Sequence, residues 1–223
     1  MEKVLPMSHY YRAFQKQKRG YAAAKRSLDI VFALVLLVAL SPLFLILTVV
    51  AALDTKSSPV FVQERMGRFN HPFKMLKIRT MSAEAPANVA THKLQDAEGY
   101  ISRTGRIMRK LSLDELPQLF NILKGDMSFV GPRPVVLTET DLLDLRTQNR
   151  SCLVRPGLTG WAQVNGRDNV TVVEKARMDA EYVQMLSFWT DLKVLVKTVT
   201  CVLESRDVRE GANPAISAEE RSA

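Results

Sequence analysis

The sequence predicts an α+β fold: a mostly helical, monotopic membrane protein with a kinked re-entrant membrane helix, interfacial amphipathic helices and a small β-hairpin. Three observations predict it. An uncharged apolar run near the N-terminus is broken at its centre and basic on both flanks. A stretch over 59–81 alternates apolar and basic residues around a Gly/Asn turn. Most of the remaining chain spaces its apolar residues at helical intervals, punctuated by glycine and proline. The chain divides into a basic arm (1–24), a membrane helix–break–helix (25–57), a cytosolic domain with interfacial helices (58–206) and a disordered tail (207–223).

The chain has 223 residues, a formal net charge of +8 and 47% hydrophobic residues. That apolar fraction is ordinary for a globular protein and excludes a disordered polycation. The basic excess points to a polyanionic partner: nucleic acid, an anionic membrane face or a phosphorylated substrate. Cys152 and Cys201 make neither a disulfide framework nor a zinc pattern, which fits a reducing compartment. His9, His71 and His92 are scattered without metal-ligand spacing.

The elements follow in order. Residues 1–24 ("HYYRAFQKQKRGY" within them) read as a membrane-surface or disordered arm. Ile30–Leu53, "IVFALVLLVALSPLFLILTVVAAL", carries no charge over about 24 residues, long enough to span a bilayer. Two features favour a hairpin over a span. Pro42 at the midpoint removes a backbone donor and kinks the helix, and the Ser41 hydroxyl can satisfy a freed carbonyl. Lysines and arginines crowd both flanks, and positive charge marks the cytoplasmic side. Lys25, Arg26 and Asp29 share a helix face, either as surface ion contacts or as an anchor for anionic lipid headgroups. After the 59–81 hairpin, 82–99 reads as a surface loop with a helical turn and 103–111 as a short basic helix. "DELPQLFNILKG" is helical with a stop at Gly125. "DMSFVGPRPVV" is extended, 138–153 helical, 155–167 loop and strand, and 172–206 one or two helices. The last of these sets Phe188, Trp189, Leu192, Val196 and Val199 among Lys193 and Lys197. That pattern suits a membrane interface as well as a core-packed helix.

The segment "SLDELPQLFNILKGDMSFVGPRP" carries adjacent acids, Asp114 and Glu115. Ser112 followed three residues on by Glu115 fits a helix capping box. That register would put Pro117 in the second turn, where its ring strains the helix. Placing Pro117 in the first turn leaves both acids just outside the helix mouth, ionised and available as a nucleophile or a metal ligand. Arg106, Arg109 and Lys110 precede them. Arg133 in "GPRP", Arg155 in "RPG" and Arg167 in "NGR" add guanidiniums on stiff loops. Arginine matches phosphate oxygens with paired hydrogen bonds. Mg²⁺ takes one or two carboxylates and completes its shell with substrate phosphates. The set therefore suits a metal-bound diphosphate, with one carboxylate free to attack phosphorus. No Walker loop, dinucleotide glycine pattern or kinase signature is present.

"KRSLDIVFALVLLVALSPLFLI", "FKMLKIRTM", "RKLSLDELPQLFNILKGDMSFVGPRP", "RPGLTGWAQVNGR" and "DAEYV…WTDLKVLVKTV" together resemble the bacterial sugar transferase family. These are monotopic polyprenyl-phosphate phosphoglycosyl transferases that begin glycan and exopolysaccharide assembly. The resemblance runs in family order from about Lys25 to about Arg206. It implies transfer of a sugar phosphate from a UDP-sugar to a polyprenyl phosphate, with release of UMP, Mg²⁺ as cofactor and a covalent intermediate. By motif, Asp114 matches the nucleophile and Glu115 the metal ligand, the two sharing the Mg²⁺ site. Arg109, Arg133, Arg155, Arg167 and Lys77 match basic positions around the phosphates. Asp179 matches an acidic position in the following helix, and Ser41-Pro42 matches the break in the family's re-entrant helix. The implied partners are the UDP-sugar, the polyprenyl phosphate and anionic inner-membrane lipids at the cytoplasmic face. A homodimer and downstream glycosyltransferases are compatible with it. The segment "LQDAEGYISRTGR" departs from the family's Asp-Pro-Arg pattern. Without the multi-span extension of longer relatives, the chain is expected to be a minimal catalytic unit.

Two other classes compete. A non-catalytic, membrane-anchored protein holding anionic headgroups would also use the arm and hairpin. Acids inside the arginine field would weaken its anion binding. A nucleic-acid binder would use the net charge, but the chain carries no recognisable module and no aromatic interleaving, so no nucleic-acid partner is expected. Galactose, glucose, N-acetylhexosamines and deoxy-diamino sugars all remain open as the donor sugar.

Overall fold

The structure is a computed structural model, and it describes residues 7–86, 97–166 and 170–203. The expected tail lies outside the described residues, as do the first residues of the arm. Helix α1 (Met7–Ala39) and helix α2 (Ser41–Thr55) meet at Leu40 and are bent by 67° between Gly20–Ala39 and Ser41–Thr55. No single helix among the described residues is long and apolar enough to cross a membrane. The break has a local cause. Pro42 has no N–H for the Val38 carbonyl one turn back, and Ser41 Oγ donates to Val38 O instead at 2.8 Å. Helix α1 begins well before residue 25, so residues 7–24 are its first turns.

Strands β1 (Val60–Met66) and β2 (Pro72–Ile78) form the expected antiparallel hairpin. Its turn places Phe69 and Asn70 at positive φ. Helices α3 (Ala97–Tyr100) and α4 (Arg103–Lys110) follow, then a tight 3-10 turn (Leu113–Glu115) and helix α5 (Gln118–Lys124). Gly125 ends α5 with φ +98°, a conformation that favours glycine. Strand β3 (Ser128–Val130) pairs in parallel with β4 (Gly157–Thr159). Their close approach needs two glycines. A Cβ on Gly131 would sit 2.3 Å from Arg155 O, and one on Gly157 would sit 2.1 Å from Gly131 N. Helix α6 (Thr140–Gln148) lies between these strands in sequence. Where 155–167 was expected to be loop and strand alone, a short helix α7 (Trp161–Asn165) follows β4. Trp161 and Val164 turn into the cluster of Val130, Tyr182, Val183, Leu186 and Val194, and that burial folds the segment. Helices α8 (Val172–Gln184) and α9 (Phe188–Leu203) complete the chain, with α8 opened by a Thr171–Glu174 capping box.

The core that positions the site joins α1, β2 and α5 through Ala33, Phe73, Met75, Leu119, Ile122 and Met127. Complete burial of side chains such as Ile122 and Met127 stabilises the fold by about 2 kcal/mol each. A second cluster seats α2 on β2 and α4 through Leu47, Ala51, Ile78 and Met108.

The Lys25, Arg26 and Asp29 face does not make the expected surface ion contacts among its own side chains. Its side chains dock α1 onto the rest of the chain, with Asp29 buried and Lys25 and Arg26 partly buried. Lys25 pairs with Asp191, while Arg26 donates to Ile122 O and Leu123 O at 2.6 and 2.9 Å. Asp29 is buried and accepts from Phe129 N at 3.2 Å. Arg26 is thus satisfied by the open carbonyls at the end of α5, where a cation suits the helix dipole. On α9, Phe188, Trp189, Leu192, Val196 and Val199 are all exposed, leaving that face outside the core.

Candidate active site

The β1–β2 register pairs Phe61 with Lys77, Gln63 with Met75 and Arg65 with Phe73, so these six side chains share one face of the hairpin. That face meets α5. Asn121 of α5 completes the edge of β2: its Nδ2 donates to Lys74 O at 2.8 Å and its Oδ1 accepts from Leu76 N at 3.0 Å. The start of α5 is thereby fixed beside Lys77.

The chain reaches α5 through Ser112, held at φ 55°, the 3-10 turn and Pro117. Ser112 makes no side-chain cap, so the capping-box reading of Ser112 and Glu115 does not hold. Pro117 stands at the N-cap of α5, which leaves both acids outside the helix mouth, as the proline argument requires. Lys77 Nζ lies 3.4 Å from Asp114 Oδ2 and 2.9 Å from Glu115 Oε1. Arg133 Nη2 lies 3.0 Å from the same Glu115 oxygen.

Burial pushes Asp114 above the usual carboxylate range and Glu115 adds to the rise, against the pull of Lys77 and Arg109. For Glu115, burial also acts upward, but Lys77 and Arg133 outweigh it and hold the carboxyl at about 2. The neighbouring acids are therefore split by their partners: Glu115 is the firmly ionised one. A cleft opens beside Asp114, its lining including Phe61, Arg65, Lys77, Arg79, Met81 and Arg109. A narrower cleft lies on the Glu115 side, lined by Arg65, Met75, Gln118, Arg133 and Pro134.

The structure brings together Lys77, Arg109, Asp114, Glu115 and Arg133 from the sequence expectation. It does not bring the others. Arg155 Nε donates to Gly125 O at 2.8 Å, at the opposite end of α5 from the acids. Asp179 is buried in α8, where its Oδ2 accepts from Arg146 Nε and Nη2 at 2.8 and 2.6 Å. Ser41-Pro42 lies in the bent helix pair, and Arg167 lies outside the described residues. Sequence reasoning missed Gln63, Arg65, Arg79 and Gln118. A signal for two of them was present: Gln63 and Arg65 stand on the hairpin face that also carries Phe73 and Met75. Polar groups on a buried face call for an explanation.

Comparison with known proteins places the chain in a family. The model for the bacterial sugar transferase family matches residues 20–205. An uncharacterized sugar transferase of Bacillus subtilis, EpsL, is 43% identical over 188 residues, covering 83% of this chain and 90% of the relative. The exopolysaccharide production protein ExoY of Sinorhizobium fredii is 40% identical over 200 residues, covering 82% and 87%. A UDP-glucose:undecaprenyl-phosphate glucose-1-phosphate transferase of Caulobacter vibrioides is 41% identical over 187 residues, covering 80% and 69%. With a family model matching most of its length and its paired acids set among lysine and arginine at a cleft, this chain belongs to the bacterial sugar transferase family.

Proposed function

We propose that the protein transfers a sugar 1-phosphate from a UDP-sugar to a polyprenyl phosphate, as the first membrane step of a glycan assembly. The observation that carries this reading is the pair Asp114–Glu115 at the mouth of α5, opposed by Lys77 and Arg133 and opening on a cleft. The activity named for the Caulobacter relative supports it. A carboxylate nucleophile can serve both half-reactions in turn. An Asp114 oxygen forms a bond to the sugar-proximal phosphorus, the bond to the bridging oxygen breaks, and UMP leaves with that electron pair. An oxygen of the polyprenyl phosphate then attacks the same phosphorus, the aspartyl O–P bond breaks, and the Asp114 carboxylate is restored. Lys77 and Arg109 stand where charge on the non-bridging oxygens would otherwise be unopposed.

The donor set also fits Mg²⁺. It offers two carboxylates and, among the described residues, no group of three or more acidic, His or Cys side chains that would hold an ion alone. Magnesium takes few protein carboxylates and shares the rest of its shell with phosphates and water. Glu115, with Asp114, would hold it, and it would supply charge neutralisation at the diphosphate.

The bent α1–α2 pair is read as the re-entrant membrane element, with both of its ends on the cytoplasmic face of the inner membrane. Its exposed Val31, Val35, Val38, Leu45, Ile46 and Val49 support this, as does the exposed apolar face of α9. A site at that interface reaches a cytosolic nucleotide sugar and a lipid phosphate in turn.

The test is UMP release by nanodisc-held protein offered a panel of UDP-sugars with Mg²⁺ and undecaprenyl phosphate. Asp114→Asn is run alongside. Release with one sugar is expected, lowered at least about 10³-fold in the variant. Equal release by the asparagine enzyme would remove the nucleophile, and no release with any sugar from folded protein would remove the reaction.

A further inference from the structure

The chemistry above uses the cleft on the Asp114 side. The narrower cleft on the Glu115 side is built differently. Arg65, Gln118 and Arg133 line it beside Met75 and Pro134, so three of its four polar side chains bring donors, and the Glu115 carboxylate is the fourth. Two of those donors are held at a cost. Gln118 is 2% exposed, and its Nε2 has no hydrogen-bond partner. A buried amide donor left unmade is destabilising, and a leucine or methionine would fill the same space without that penalty. Arg65 is mostly buried, and the acceptors it meets are neutral: Gln63 Oε1 at 2.9 Å and Pro134 O at 3.4 Å. Burial and the neighbouring Arg133 work against its charge, and Glu139 and Glu115 only partly offset them. Its register on β1, opposite Phe73, sets it on the hairpin face that meets α5.

We infer that this cleft is a second phosphate-recognition subsite, in which Gln118 Nε2 and the Arg65 guanidinium donate to oxygens of a phosphate group held beside Glu115. The inference rests on the sugar-phosphate transfer reading and adds two recognition residues to it. A phosphate with several acceptor oxygens answers both together: it satisfies the orphan amide and gives the guanidinium charged acceptors in place of neutral ones. A two-step transfer handles two phosphates besides the one transferred, that of the departing nucleotide and that of the incoming lipid. Both offer the same oxygen chemistry.

The test uses full-length protein in nanodiscs carrying Asp114→Asn, so that no turnover intervenes. Affinities for UMP and for undecaprenyl phosphate are measured by ligand-induced thermal shift, with Gln118→Met or Arg65→Gln added. For one probe, affinity is expected to fall about tenfold in each variant, and that probe names the source of the phosphate. Without ligand, Gln118→Met is expected to melt at the same or a higher temperature, because an unmet donor is gone. A methionine variant that melts lower and binds both probes unchanged would make the amide structural and overturn the inference. Unchanged affinity for both probes in both variants would overturn it too, leaving the transfer reading standing. Binding of neither probe by the Asp114→Asn protein, together with no turnover by wild type, would remove that reading and the subsite with it.

Discussion

Lys77 Nζ lies within ion-pair reach of both acids, and Asp114 and Glu115 are both largely buried. Two neighbouring carboxylates repel each other more strongly out of water, so the lysine holds the turn together as well as facing the cleft. Lys77→Met should destabilise the protein by about 3 kcal/mol, the lower end of what removing one partner from a buried pair costs. Asp114→Asn alone should keep or raise the melting temperature, since it deletes one of two crowded charges at a functional site. The two changes should then fail to add: Lys77→Met with Asp114→Asn should be less destabilised than the sum of the two single effects. Thermal unfolding of the four proteins in nanodiscs measures the coupling. If the double variant lost the sum of the single effects, the lysine would be a surface-like neighbour and not the counter-charge of the pair.

At the scale of elements, the loop that carries Arg133 is held from behind. Arg146 on α6 uses Nε and Nη2 on Asp179 of α8, and its Nη1 donates to Arg133 O at 2.9 Å. Asp179 therefore serves the site at one remove, through a backbone carbonyl. Asp179→Leu should cost about 3–5 kcal/mol by stranding a buried guanidinium. Adding Arg146→Met should return most of that stability, since apolar groups of similar volume replace a buried pair well. It should not return activity, because the Arg133 carbonyl stays unheld. Melting temperature and UMP release on the same samples separate the two effects, and recovery of both would make the pair structural alone. Most elements were legible in the sequence, because the hairpin alternation, the Pro117 helix start and the Gly125 stop are local signals. The site was legible where motif residues converge on one turn: Lys77, Arg109, Asp114, Glu115 and Arg133. Asp179 and Arg155 carry the same residue chemistry but are taken up by Arg146 and by the end of α5. Those partners are 33 and 30 residues away in the chain, a separation that no spacing rule reaches. Helix α7 was missed for a similar reason, since its folding depends on burial of Trp161 against α8 and α9.

Across the whole molecule, the bent helix pair is supported at three places. Pro42 breaks the backbone, with Ser41 Oγ taking the orphaned Val38 carbonyl. Arg26 and Asp29 tie α1 to α5 and to Phe129. Leu47 and Ala51 seat α2 on Ile78 and Met108. Restoring a donor with Pro42→Ala returns about 3 kcal/mol to a straight helix. Straightening would pull Leu47 and Ala51 out of their cluster, which costs about 3 kcal/mol or more once Ile78 and Met108 lose their cover. The alanine variant should therefore stay bent. Ala51→Leu overfills the seat at about 1–3 kcal/mol while keeping α2 apolar, so it weakens the opposing term without adding charge to the membrane. With Pro42→Ala alone, cysteines placed at Gly20 and Ser57 should both label from the cytoplasmic side. With Pro42→Ala and Ala51→Leu together, the Ser57 position should lose part of its cytoplasmic labelling. Loss of that labelling in the single alanine variant would assign the topology to the proline alone. Full labelling in the double variant would assign it to the α1 contacts with α5 and Phe129.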